Sequence, residues 1–318
     1  RYLPKTMKKK GLRIHGSNLC NEIHLPTNEE RTAVCCLSSL NLELYDEWKD
    51  TDIVKDLITF LDNVLQFFID NAGDEIKRAR YSATQERSLG LGAMGLHSLY
   101  QKNRMPFDSL QAKTLNEEIF KKIKEDAVEQ TKILGKEKGE APDMKGTGKR
   151  NAHLLAIAPN ANSSMITGCS PSIEPHKANA YTHRTRAGSH LIKNRYLKQE
   201  LKKINQDTPE VWTSIITNGG SVQHLDFIND SMKEVFRTAI EINQRVIIEQ
   251  GGDRQKYLCQ GQSLNIFFPA GASKNYLHDV HMKAWKEECK GLYYLRTETS
   301  HRAENVAEKV KLNKLKDY

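Results

Sequence analysis

The chain has 318 residues, 38% of them apolar and 28% charged, with a formal net charge of +8 and a mean hydropathy of −0.64. This is the composition of a folded protein with a polar surface, not a disordered one, and the length suits one large domain or two ordinary ones. No apolar run approaches the roughly 18–20 residues that cross a bilayer, and no secretory segment is recognisable, so neither membrane insertion nor export is expected. The charge surplus fits solubility or a phosphate-bearing ligand without choosing between them. Because the first residue is Arg1, the chain is expected to be processed, excised or a piece of something longer.

In chain order, the apolar run Ala33–Leu42 predicts a buried strand. Val54, Leu57, Ile58, Leu61, Val64, Leu65 and Phe68 then form a helical stripe, with Thr51 or Asp52 as N-cap and Gly73 as the stop. A second stripe, Leu115, Ile119, Phe120, Ile123, Ala127 and Leu134, is closed by Gly135. Residues 136–151 are polar and Gly-rich and read as a surface loop. Gly148-Lys149 has the end of a phosphate-binding loop, but its first Gly position is Asp143, so none is assigned. His153–Ala158 reads as a strand, and Ile228, Met232, Val235, Phe236, Ala239, Ile242 and Val246 as a third helix ending at Gly251-Gly252. Ser263–Phe268 and Leu292–Arg296 complete the strands. Helices alternating with buried strands predict an α/β fold with mainly parallel strands.

Six cysteines (Cys20, Cys35, Cys36, Cys169, Cys259 and Cys289) show no zinc-ligand spacing and are expected to be reduced. A single buried thiol is ordinarily a small hydrophobe, so a functional one must be identified by its neighbours. In Ser17-Asn18-Leu19-Cys20-Asn21-Glu22-Ile23, an extended backbone would project Asn18, Cys20 and Glu22 on one face. A thiol beside a general base and a hydrogen-bond donor is a reactive arrangement; the competing reading is a chance run of polar residues. Cys35 and Cys36 on one strand are expected to point to opposite faces, where adjacent cysteines seldom bond to each other, so that one can face a site while the other packs. Asn160, Ala161, Asn162, Ser163 and Ser164 follow a strand and offer amides and hydroxyls suited to a phosphate, or form an ordinary capped loop. Tyr293 and Tyr294 on a buried strand read first as packing residues.

Taken together, SNLCNEI (17–23), AVCCLSSLNL (33–42), RSLGLGAMGLH (87–97), PNANSSMITGCSPSIEP (159–175), QSLNIFF (262–268) and LYYLRT (292–297) resemble the C-terminal half of the large, catalytic subunit of a class I ribonucleotide reductase. The resemblance implies the second half of a ten-stranded α/β barrel, residues 1–318 all belonging to it, with a central finger loop carrying the radical cysteine. Cys20 would become the thiyl radical, Glu22 would accept the 3′-hydroxyl proton, and Asn18, with Ser17 beside it, would hold the substrate. Cys35 would be one member of the redox dithiol, whereas Cys36 would only pack. Tyr293 and Tyr294 would relay the radical, and Asn160–Ser164 would cradle the phosphates of a ribonucleoside diphosphate.

No cofactor is expected on the chain itself. The radical would come from a metal-containing small subunit and the electrons from an external dithiol. The resemblance implies an N-terminal half, with a second redox cysteine and sites for ATP and deoxynucleotide effectors, that is expected to lie outside this sequence, and the segment KLNKLKDY carries no cysteine pair. The expected partners are the N-terminal half and the small subunit, with neither nucleic acid nor membrane, in the cytoplasm of a bacterium or phage-infected cell. The competing readings are a catalytically incompetent fragment that only binds a partner, and nucleic-acid binding through the +8 charge.

Overall fold

The computed structural model describes residues 3–186 and 188–298. Its helices are α1 (Lys5–Lys9), α2 (Tyr45–Trp48), α3 (Ile53–Asn71), α4 (Lys77–Glu86), α5 (Leu96–Lys102), α6 (Leu110–Lys138), α7 (Ala161–Thr167), α8 (Arg195–Lys203), α9 (Pro209–Thr217), α10 (Asp230–Val235), α11 (Gln244–Gln255) and α12 (Lys274–Lys286). The strands are β1 (Cys36–Asn41), β2 (Leu89–Met94), β3 (Ala180–Thr185), β4 (Gly188–Lys193), β5 (Ile266–Phe268) and β6 (Leu295–Thr297). No described helix is long and apolar enough to cross a membrane.

Main-chain hydrogen bonds join these into parallel tracks whose spatial order follows the chain. β1 pairs with β2, and β2 with segment 153–158 through Leu89 N to His153 O (2.9 Å) and Ala156 N to Leu91 O (3.1 Å). Segment 153–158 meets 260–263 through Ser263 N to Ile157 O (2.8 Å), and β5 pairs with β6. Successive tracks are linked through helices, the βαβ arrangement that the alternation predicts. Only isolated bridges mark 153–158, so the expected strand is present as a track without forming a regular ladder. The hairpin β3–β4 is antiparallel and was not anticipated.

The main core lies between the tracks and α3, α6 and α11, where Ile58, Leu61, Leu65, Phe120, Ile123 and Ile248 are buried. A second cluster, including Leu197, Trp212, Ile215 and Phe236, holds the hairpin against α8 and α9. Several helix ends depart from expectation. α3 stops at Asn71 with Ala72 as C-cap, and Gly73 lies in the extended region. α6 runs through Gly135 to Lys138 because Gly135 packs on the main chain of Gly148, which a Cβ would approach to 2.7 Å. It stops at Gly139, which takes a positive φ (85°) that glycine adopts without strain. The single helix expected from Ile228 to Gly252 is two helices, α10 and α11, and Gly251 and Gly252 lie within the second. The 136–151 segment is no simple surface loop, since Asp143, Arg150 and Asn151 are buried. There the amides of Gly146 and Gly148 donate to Glu140, so the chain's own carboxylate occupies that turn.

Glu86 is fully buried where β2 begins, and Ser88 Oγ donates to its Oε2 at 3.1 Å. Burial pushes this carboxyl up to about 8 from its ordinary 4.5, opposed by the Ser88 hydrogen bond and by Arg31. Between those values the folded state keeps a proton that the unfolded state has released, so stability falls as pH rises through the window. Glu86→Gln carries no such proton. Its stability relative to the parent should rise between about pH 5 and about pH 8, by up to about 1.4 kcal/mol per pH unit. Urea midpoints at the two pH values check this, and a pH-independent difference would count against it.

Candidate functional site

The segment around Cys20 is a closed turn, not the extended strand expected. Asn21 adopts a left-handed conformation (φ 63°), its N–H donates to Asn18 O (3.1 Å), and Asn18 N donates to Ile23 O (3.2 Å). Asn18 Oδ1 closes the turn from inside, accepting from Glu22 N (3.1 Å) and Ile23 N (3.0 Å). Its Nδ2 has no partner among the described residues. The turn that carries Cys20 and Glu22 is thus set by side-chain bracing from Asn18 and not by strand alternation.

Neighbouring tracks fix this turn from below. Ser263 Oγ lies 2.6 Å from Cys20 O and 3.2 Å from Glu22 Oε2, and Gly261 N donates to Glu22 O at 2.7 Å. Asn21 Nδ2 donates to Leu292 O at 3.0 Å. The turn seats there because residue 291 is glycine: a Cβ would fall 1.8 Å from Asn21 Nδ2. Glu22 is 2% exposed and Leu19, at the tip, 85%.

Cys20 Sγ lies 3.4 Å from Tyr293 Oη, with the thiol as donor. The rings of Tyr293 and Tyr294 stack with centroids 3.9 Å apart and planes tilted by 32°. Hydrogen bonding to Cys20, then to Tyr294, pushes the Tyr293 phenol up. The tyrosines precede β6 and are not buried as expected: Tyr293 is half-buried and Tyr294 is 44% exposed.

Cys35 and Cys36 take opposite faces. Cys36 packs against the main core, whereas Cys35 joins Ile23, Leu25 and Ala156 on the other face of the tracks. Gln260 connects Cys35 to the turn, its Nε2 lying 3.6 Å from Cys35 Sγ and its Oε1 accepting from His24 N at 3.1 Å. Burial pushes the Cys35 thiol up, so this residue is held as a protonated thiol.

A cavity of about 610 Å³ opens beside the carboxyl ends of β2 and segment 153–158, lined by Leu37, Ser39, Met94, Asn160, Asn162 and Ser163 among others. Such carboxyl ends are where parallel α/β sheets place ligands. Asn160, in a left-handed conformation (φ 52°), begins α7 and accepts from Ser39 Oγ at 3.0 Å. Ala161 also lines the cavity, but Ser164 does not: it is buried, and its hydroxyl donates to Ala161 O at 3.2 Å. Ser17 is exposed, and its hydroxyl donates to Asn18 O at 3.0 Å, away from this lining. A larger cavity of about 750 Å³ lies at the opposite strand ends, between His153, Cys259 and Lys290, and none of the expected site residues lines it. Among the described residues, no group of three or more His, Cys, Asp or Glu side chains is placed to hold a metal ion.

Sequence reading missed Ser263, Gln260 and Ser39. Ser263 and Ser39 sit inside motifs already singled out, but only their contacts across the fold, 243 residues apart for Ser263 and Cys20, distinguish them.

The family described as "Ribonucleotide reductase, barrel domain" matches residues 4–148 and 141–295. The chain is 58% identical over 300 residues to a protein of Frog virus 3 (isolate Goorha), provisionally described as a ribonucleoside-diphosphate reductase large subunit, covering 93% of this chain and 53% of the relative. It is 46% identical over 302 residues to the ribonucleoside-diphosphate reductase large subunit of Invertebrate iridescent virus 3, covering 93% of this chain and 48% of the relative. Among solved structures, the Actinobacillus ureae class Id ribonucleotide reductase alpha subunit matches with a TM-score of 0.89 at 41% identity, over 95% of this chain and 57% of that one. The chain therefore spans about half the length of these two viral relatives. Parallel tracks in chain order, the braced cysteine turn against a tyrosine pair, and these likenesses agree: the chain belongs to the ribonucleotide reductase barrel-domain family.

Proposed function

We propose that this chain forms the second half of the catalytic barrel of a class I ribonucleoside-diphosphate reductase large subunit. The supporting observation is the hydrogen-bonded line from Cys20 Sγ to Tyr293 Oη (3.4 Å), with Tyr294 stacked behind it. Phenol and thiol in contact can exchange a hydrogen atom without a charged intermediate, so a radical arriving at Tyr294 passes through Tyr293 to Cys20. Breaking a ribose C–H bond is beyond polar side-chain chemistry, and a thiyl radical supplies that reactivity.

In this reading Cys20 takes the 3′ hydrogen atom and Glu22, 2% exposed and braced by Ser263, accepts the 3′-hydroxyl proton. Asn18 Nδ2 is the donor left for the substrate. The 2′-hydroxyl leaves as water as Cys35 and a second cysteine outside this chain give up two electrons and form a disulfide; an external dithiol reduces it again. The protonated state of Cys35 suits it to donate hydrogen. The cavity at Asn160–Ser163 receives the phosphates. The radical originates in a separate metal-containing small subunit, effectors bind outside this chain, and strands from outside it close the barrel. The test is reconstitution with a complementary N-terminal half and a small subunit, assaying ribonucleoside diphosphate reduction. Absence of activity, with Cys20→Ser indistinguishable from the parent, would sink the proposal.

A further inference from the structure

One main-chain donor of the tyrosine pair is held in an unusual way. Tyr293 N donates to Leu264 O (2.9 Å) and Tyr294 O accepts from Ile266 N (3.0 Å), both across the adjacent track. Tyr294 N instead donates to a side chain, Asn265 Oδ1, at 2.8 Å. The other end of that amide, Asn265 Nδ2, donates to Glu174 Oε1. Asn265 and Glu174 are each 3% exposed, so neither can exchange these partners for water. The amide has one workable orientation. Flipped, it would set N–H against the Tyr294 N–H and oxygen against the carboxyl of Glu174.

We infer that Asn265 and Glu174 are positioning residues for Tyr294, a buried two-link anchor that fixes where the outer tyrosine stands over Tyr293. This rests on the proposed radical role of Tyr294. The anchor matters there because the Tyr294 ring has little else to hold it: it is 44% exposed, stacked on Tyr293, with the Arg296 guanidinium 4.9 Å from its centroid. Glu174 follows α7 in the chain, so the segment that lines the cavity at Asn160 also carries the far end of the anchor. Burial raises the Glu174 carboxyl to about 7, opposed by Lys177, Arg296 and the Asn265 hydrogen bond. In either protonation state an oxygen remains to accept from Asn265, which is why a glutamine should serve in its place.

The test places meta-fluorotyrosine at position 294 of the full chain and reads its fluorine NMR resonance, which needs neither partner nor turnover. Asn265→Ala and Glu174→Ala should shift or broaden the resonance, and Glu174→Gln should leave it in the parental position. Should an alanine variant fail to fold, Glu174→Met, of similar volume but with no acceptor oxygen, makes the same comparison against Glu174→Gln. In the assembled enzyme the disrupting variants should lower kcat by about tenfold to a hundredfold with KM unchanged. A resonance unmoved by both disrupting changes overturns the inference. A resonance that moves as expected, in a parental assembly that reduces no ribonucleotide, supports the anchor and overturns the functional reading alone.

Discussion

Asp62→Ala should destabilise the chain by about 3–5 kcal/mol, the range seen when one partner of a buried ion pair is removed. Asp62 is fully buried on α3 and collects three side chains: Arg87 Nε (2.9 Å) and Asn151 Nδ2 (2.9 Å) on Oδ1, and Arg150 Nε (2.7 Å) on Oδ2. Arg87 also donates to Asp62 O at 3.1 Å. Burial alone would raise this carboxyl, but the hydrogen bonds from Arg87 and Arg150 outweigh it and hold it below its ordinary value. Removing it leaves two guanidinium groups in the interior without their anion. It also cuts the link between α3, the entry to β2 and the track at 153–158, the scaffold under Cys35. Asp62→Asn should fail similarly, since its amide NH₂ would face a guanidinium. Urea unfolding of the full chain measures the effect. As a control, Asp46→Ala on the surface, where the partner Lys49 lies 2.8 Å away, should leave the midpoint unchanged. A parental midpoint for Asp62→Ala would mean that the cluster is not what holds these elements together.

What could be read in advance depended on how local its cause is. The α3 stripe was legible because Val54, Ile58, Leu61 and Leu65 face one core at helical spacing. The stripe from Ile228 to Val246 misled because its two ends serve different cores: Val235 and Phe236 belong to the cluster under the hairpin, Ala239 and Ile242 to the main one. Periodicity cannot register a break that changes partners. Gly135 looks like a stop because glycine is a poor helix former, but there its missing side chain admits the main chain of Gly148. The hairpin lacks an Asn-Gly or Asp-Gly turn signal, and its strands are largely exposed, so neither turn chemistry nor burial marked it.

The site followed the same rule. Alternation points to Asn18, Cys20 and Glu22 through an extended backbone, but the backbone there is a turn, closed by Asn18 Oδ1 accepting from two following amides. Ser164 carries a hydroxyl suited to a phosphate, but α7 turns it inward while Ser163 stays at the cavity. Tyr293 and Tyr294 were expected to be buried. They lie instead beside the last track, where no described strand covers the outer side. The contact of Tyr293 with Cys20 spans 273 residues, and no local pattern in the sequence encodes it.

Tyr293→Phe should abolish reduction in the reconstituted enzyme while leaving the fold intact. The substitution keeps the ring that stacks on Tyr294 at 3.9 Å and removes only Oη, the atom 3.4 Å from Cys20 Sγ. Phenylalanine has no O–H to give up, so the hydrogen exchange that would generate the thiyl radical has no donor–acceptor pair. The loss should be at least about 10²–10⁴-fold, the contribution of a positioned proton-transfer group, and it should appear in kcat with KM unchanged, because Tyr293 does not line the cavity at Asn160. Cys20→Ser should be as severe, since a serine hydroxyl is far harder to convert to a radical than a thiol. The two changes act on one step, so the double variant should be no worse than either single one. If Tyr293→Phe retained activity within about tenfold of the parent, the Cys20–Tyr293 contact would be packing, and the radical would have to reach Cys20 by another route.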